Sequence, residues 1–254
     1  MVANHTSKKR GELDLAGEIQ QLLFPKSPPV CDWCCIGVRN RMALGLGGDY
    51  FDFITMPDRC QSFLIGDVTG HGLHASVVMS LIYGFMHRAA QVECDPLNLV
   101  RGVNSFLAEF ALRSRIYDQY FSSTLFFSII NPETLIMHYV NAGHVPPLVA
   151  RGARIIQLEA TAPPVGFFDA PDMEMATFSF EPGDRLLLYT DGITEAANSR
   201  GELFAVERLR ELLLASTGDY VAFLDELFQT LRIFGTIDPP TDDCTAMVVD
   251  FHGI

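Results

Sequence analysis

No run in this 254-residue chain approaches the roughly 20 consecutive apolar residues that a bilayer-crossing helix needs, so no membrane-spanning role is expected. Positive charge is also scarce. Against 31 Asp and Glu stand 18 Lys and Arg, a formal net charge of −13, and the one basic block is Lys8, Lys9 and Arg10. Such a surface repels nucleic acid and anionic lipid, which excludes both as expected partners. The opening residues lack the apolar segment of a secretory signal, so the expected location is the cytoplasm. The six cysteines show no disulfide-like spacing, in keeping with a reducing compartment. Cys31-x-x-Cys34 has no second pair to complete a zinc tetrahedron and reads as part of a strand continuing through Ile36 and Val38.

What is present is ample core material, with 48% hydrophobic residues. Residues 12–24 carry Leu15, Ile19, Leu22 and Leu23 at helical spacing before Pro25, predicting an amphipathic helix. Strands are predicted at about 33–39 and 61–66. Val77, Val78, Leu81, Ile82, Phe85 and Met86 trace one face of a helix over 73–90, and a second helix follows at about 97–112. The period then changes. Short β-like runs from 121 to 159 are broken at "NPET", "HVPP" and "RGA", an antiparallel, hairpin-rich pattern. A strand ending at Asp191, helices at about 204–215 and 219–232, and a last strand "TAMVVDF" complete the reading. Strands in runs and helices in pairs predict α+β layers with antiparallel sheets. The chain reads as one domain over 31–254, with residues 1–30 as a helical appendage and connector.

Aspartates recur where apolar strands meet loops: Asp49 after paired glycines, Asp67 after "FLIG", Asp191 after "LLLYT", and Asp242 and Asp243 before the last strand. Singly, each is an ordinary turn residue. Together, converging carboxylates repel one another and raise each other's pKa unless a cation neutralises them. Oxygen donors of this kind suit Mg²⁺ or Mn²⁺. Gly47, Gly48 and Gly66 leave backbone room around the carboxylates. His71 reads as a turn or packing residue, and His144 in "NAGH" as either a residue near the site or a structural turn.

Seven stretches carry a family resemblance: "EIQQLLFP" (18–25), "GGDYFDF" (47–53), "GDVTGHGLHAS" (66–76), "NAGHVPPLV" (141–149), "PPVGFF" (163–168), "GDRLLLYTDGITEAANSRGELF" (183–204) and "DDCT" (242–245). In this order they resemble the PPM (type 2C) metal-dependent serine/threonine phosphatases, in particular the SpoIIE/RsbU branch that regulates sigma factors by partner switching. The resemblance implies an α+β, four-layer αββα sandwich of two antiparallel sheets flanked by helices. It implies a pair of Mg²⁺ or Mn²⁺ ions, with Asp67 bridging both, the Val68 carbonyl as a further ligand, Asp191 and Asp242 on one ion, and Asp49 as a ligand or water-positioning group. Asp67 and Asp191 are the expected catalytic residues. The family pattern favours Asp242 as ligand; the sequence itself leaves Asp242 and Asp243 open.

The implied activity is hydrolysis of phosphoserine or phosphothreonine by a metal-activated water, on a STAS-type anti-sigma-factor antagonist. Two rivals are weighed. "GGDYF" echoes the GGDEF signature of two-metal nucleotidyl cyclases, but has Tyr50 at the acidic position. A non-catalytic partner-binding module on the same fold would have lost an aspartate, and all are present. Residues 12–24 are the expected contact for a regulatory protein, an upstream sensor or a second copy of the chain.

Overall fold

The computed structural model describes residues 13–43, 45–113, 121–236 and 240–253. Two five-stranded antiparallel sheets form its centre. One has the order β1 (Cys34–Arg41), β10 (Cys244–Phe251), β9 (Arg185–Tyr189), β6 (Leu148–Arg151) and β7 (Arg154–Gln157). The other runs β2 (Tyr50–Thr55), β3 (Gln61–Val68), β4 (Ser123–Asn131), β5 (Ile136–Ala142) and β8 (Ala176–Ser179). Helices α2 (Leu73–Ala89) and α3 (Pro96–Arg113) pack on the second sheet, and α5 (Ala205–Ala215) and α6 (Tyr220–Phe234) on the first. The result is the expected αββα order of layers.

The sequence of β9 and β10 shows why a sandwich forms. Leu186, Leu188, Met247 and Val249 enter the core shared with the second sheet, while the alternate residues Leu187, Tyr189, Ala246 and Val248 enter a second core beneath α5 and α6. Both faces are buried, so the strands read as unbroken apolar runs instead of alternating ones. Helix α6 is bounded by local chemistry: Asp219 accepts from the Ala222 N–H at 2.8 Å at its start, and Gly235 ends it in the left-handed conformation.

The antiparallel registers bring one set of strand ends to a common edge. Arg41 opposes Cys244, Tyr50 opposes Gly66, Val68 opposes Ser123, Leu125 opposes Ala142, and Tyr189 opposes Ala246. The loop before β2, the end of β3, the end of β9 and the start of β10 therefore meet, and these carry the aspartates singled out above.

Two departures from expectation concern apolar faces. The helix predicted over 12–24 spans residues 13–21, with a turn after it and residue 12 outside the described residues. Its burial is inverted: Gln20 is buried at 3% exposure, whereas Leu15, Ile19 and Leu22 are exposed at 55%, 56% and 70%. On α2, Val77 is likewise exposed; Met79 and Tyr83 fill the core instead. Ile19 and Val77, with Leu23 and Leu73, line a shallow groove between the two helices. Phe24, just past the first helix (α1, 13–21), anchors it by stacking on Phe51 at 4.9 Å between ring centroids. No helix of the described residues is long and apolar enough to cross a membrane.

Candidate metal centre

Asp67 is the penultimate residue of β3, and its carbonyl accepts the Ser123 hydroxyl at 2.7 Å. The carboxyl is pushed up to about 9, chiefly by burial and then by the charges of Asp49, Asp191, Asp242 and Asp243. The leading charges acting on it are thus other carboxylates. Gly66 before it leaves space for the ring of Tyr50, which lies buried across the β2–β3 pair and whose hydroxyl is 3.0 Å from Ser123 Oγ.

Asp49 is held at 1% exposure in the loop leading to β2. Its Oδ2 accepts two hydroxyls, Thr190 Oγ1 at 2.8 Å and Thr245 Oγ1 at 2.5 Å. Burial nonetheless pushes its carboxyl well above the usual range, helped by the Asp243 and Asp191 charges, while both threonines oppose the shift. Asp191 begins the one-turn helix α4 (Asp191–Thr194). Its carboxyl is raised by burial first, then by Glu195 and Asp242.

The structure separates the two neighbours that the sequence leaves open. Asp243 is buried, and its carboxylate accepts the Ala43 N–H at 2.8 Å, the Gly48 N–H at 2.9 Å and the Asp49 N–H. It is committed to shaping the loop that presents Asp49. Asp242 is exposed at the same edge, with one oxygen accepting the Asp243 N–H at 2.9 Å.

His144, ambiguous in sequence, ties the two sheets together. It is buried between Tyr189 O, 3.0 Å from Nε2, and Thr124 Oγ1, 3.0 Å from Nδ1. A carbonyl only accepts, so Nε2 carries the proton and Nδ1 accepts from the threonine. Burial pushes the ring down to about 4, which keeps it neutral. His144 thus connects β4 to the end of β9, two residues before Asp191. His71 lies exposed in the turn before α2, as expected of a turn residue.

Three further residues escaped the sequence reading. Thr190, just after β9, and Thr245, in β10, aim hydroxyls at Asp49, and Gln20 reaches in from α1. Gln20 Nε2 donates to Gly47 O at 2.7 Å, and the Gly47 N–H donates back to Gln20 Oε1 at 3.0 Å. Nothing in the amphipathic spacing of α1, which also carries Asp14, Glu18 and Gln21, marked Gln20 as the residue turned inward.

The donor set is all oxygen, which suits a hard divalent cation. A Cβ on Gly48 would stand 2.9 Å from both Asp67 Oδ1 and the Val68 carbonyl, so those two oxygens lie within twice that distance of each other across an open space. Among the described residues no three His, Cys, Asp or Glu side chains close on a single point. Mg²⁺ and Mn²⁺ do not require that. Mg²⁺ in particular keeps several waters and takes one or two carboxylates, a pattern that spread carboxylates and a carbonyl satisfy.

Residues 57–252 match the family model described as "Stage II sporulation protein E (SpoIIE)". Among curated proteins, the chain is 28% identical to Protein IcfG of Synechocystis sp. over 94% of its own length and 41% of that protein. It is 26% identical to the phosphoserine phosphatase RsbP of Bacillus subtilis, over 74% of its length and 46% of that protein. The chain thus spans less than half of either relative. Among solved structures, the SiaA PP2C domain of Pseudomonas aeruginosa superposes with a TM-score of 0.83 at 18% identity, covering 99% of this chain and all (100%) of that one. RsbX, crystallised with magnesium, superposes with a TM-score of 0.63 at 16% identity, covering 88% of this chain and 98% of that one.

The electrostatics predict how stability depends on pH. Folded Asp67 holds its proton up to about pH 9, whereas an unfolded aspartate releases it near pH 4. Between those values the folded chain binds more protons than the unfolded one, so metal-free stability falls as pH rises. Calorimetry on chelator-treated protein should give a lower Tm at about pH 8 than at about pH 5, and added Mn²⁺ should raise Tm more at the higher pH, where the carboxylates can ionise. A metal-free Tm that rises steadily over this interval would contradict the arrangement.

Proposed function

The chain belongs to the SpoIIE family, and on that premise we propose that it is a metal-dependent protein serine/threonine phosphatase acting in the cytoplasm. The observation that carries this reading is the sheet edge to which the strand ends bring Asp49, Asp67, Asp191 and Asp242, with carboxylates as the leading charges acting on Asp67. Such an edge favours cations. It also resolves how a protein of net charge −13 accepts an anionic phosphate.

Asp67 would hold both ions, the Val68 carbonyl one of them, Asp191 and Asp242 the same ion together, and Asp49 an ion or its water. Two Mg²⁺ or Mn²⁺ ions, when bound, supply Lewis acidity that turns water into a nucleophile near neutral pH and neutralises phosphoryl oxygens. The protein's part is positional. Thr190 and Thr245 fix the Asp49 carboxylate, Asp243 fixes the loop that carries it, and His144 fixes the end of β9 ahead of Asp191. No residue among these serves as a covalent nucleophile. The one C-x5-R spacing in the chain, Cys35 to Arg41, lies wholly within strand β1. Six residues of extended strand put its ends about 20 Å apart, which no phosphate-cradling loop allows.

The cyclase rival loses its remaining support, because Tyr50, standing at the acidic position, is fully buried with its hydroxyl committed to Ser123 and the Thr124 carbonyl. The substrate we favour is a serine-phosphorylated STAS-type anti-sigma-factor antagonist, in line with the partner-switching branch of the family. Residues 1–30 act as a regulatory element joined to a phosphatase domain over 31–254. The Gln20–Gly47 pair of hydrogen bonds joins α1 to the loop two residues before Asp49, while the opposite side of α1 offers Leu15, Ile19 and Leu22 to a regulator or a second copy.

Replacing Asp67 or Asp191 by Asn should lower Mn²⁺-dependent phosphate release from p-nitrophenyl phosphate and from a phosphoserine peptide by about 100-fold or more, with circular dichroism unchanged. Undiminished turnover by either variant would sink the assignment. The double change Ile19→Asp and Leu22→Asp removes apolar surface that is already outside the core. It should leave Tm nearly constant and alter the oligomeric state in sedimentation or the degree of activation. A chain unaltered in both would leave α1 a purely structural helix.

A further inference from the structure

A second exposed surface lies in the loop after "PPVG". Phe167 and Phe168 stand 64% and 53% exposed, their rings 4.9 Å apart at 78°. Two adjacent phenylalanines left in water oppose folding, and exposed apolar groups on a fixed support mark interaction sites. The support here is fixed. Asn104 on α3, buried at 3% exposure, accepts the Gly166 N–H at 2.9 Å and donates to the carbonyls of Phe168 and Asp169 at 3.1 and 3.3 Å. Gly166 turns the chain at φ 78°, where a Cβ would come within 2.0 Å of the Phe121 carbonyl. Val165 pairs with Ser123 through reciprocal backbone bonds of 3.0 and 2.9 Å. An anchored loop therefore pushes two rings outward that its core residue, Val165, has no need of.

The register locates these rings relative to the site. Val68, Ser123 and Val165 lie side by side across the sheet. Two strand spacings put Val165 about 10 Å from Val68. Phe167 lies two residues further, at most about 7 Å more. A peptide whose phosphoserine sits at Asp67 covers that span with a few extended residues.

We infer that Phe167 and Phe168 form an apolar docking platform for the protein substrate, receiving an apolar side chain from the segment flanking the phosphorylated serine. The inference rests on the phosphatase reading and adds to it a determinant of substrate choice. Proximity selects this occupant: the register Val68, Ser123, Val165 keeps the rings within about 17 Å of the end of β3, inside the reach of a peptide held at Asp67. The platform acts on binding and touches neither Asp49, Asp67, Asp191 nor Asp242.

The test compares two phosphoserine peptides that differ only in carrying leucine or serine at the positions three to five residues to either side of the phosphoserine, the reach of about 10–17 Å that separates the rings from the end of β3, with kcat/KM measured in Mn²⁺. The leucine peptide should be preferred by about tenfold, mainly through KM, since one partly buried leucine is worth that much. In the Phe167→Ala, Phe168→Ala double variant the ratio should drop to about one, with the circular dichroism spectrum and Tm retained. The ratio is taken within each protein, so a general loss of activity does not mimic the effect. Equal turnover of both peptides by the unaltered protein overturns the platform. So does a preference that survives in the double variant, or a fall in both peptides alike without change of ratio. If the unaltered protein releases phosphate from neither peptide nor p-nitrophenyl phosphate, the phosphatase reading itself has failed.

Discussion

Burial of several carboxylates side by side at one edge of the sandwich is the constraint on which the remaining arrangement depends. Asp49, Asp67 and Asp191 are each raised above the ordinary carboxylate range, with burial as the first cause and neighbouring negative charge as the next. Such a cluster weakens the fold at neutral pH unless a cation offsets it. Local strain of this sort is what functional sites retain at the expense of stability. The two cores on either side of the first sheet, with unbroken apolar runs in β9 and β10, supply the stability that tolerates it.

The edge is kept in place by groups that do not themselves face the open side. Threonine hydroxyls from the residue after β9 and from β10 converge on Asp49, and Asp243 accepts three backbone N–H groups, those of Ala43, Gly48 and Asp49. His144 bonds β4 to β9, so the two sheets keep a set spacing where the carboxylates meet. Gln20 extends the same network outward to α1. A signal acting on that helix therefore has a hydrogen-bonded path of one side chain to the loop carrying Asp49.

Much of this was legible in the sequence, because apolar runs and turn residues mark strands, and aspartates at their ends stand out against β propensity. Helices α2, α3, α5 and α6 fall within a residue or two of expectation. What could not be read depends on which side chain turns which way. Asp242 and Asp243 are adjacent and chemically identical; only the three donors around Asp243 distinguish them. The apolar spacing of α1 marked a buried face, yet the buried residue is Gln20, because the partner there is the backbone of Gly47 and not a core. Val77 misled for the same reason: helical periodicity gives a face, and packing decides whether that face is covered. Strand β8 is short and half-exposed, without an apolar pattern to announce it.

The carboxylate edge is proposed to hold a pair of divalent cations, and anomalous diffraction from crystals soaked in Mn²⁺ is the decisive measurement. Two peaks about 3.5–4 Å apart are expected, with Asp67 between them and Asp191 and Asp242 beside one. Absence of any peak at this edge, or a lone peak elsewhere on the protein, would contradict that proposal.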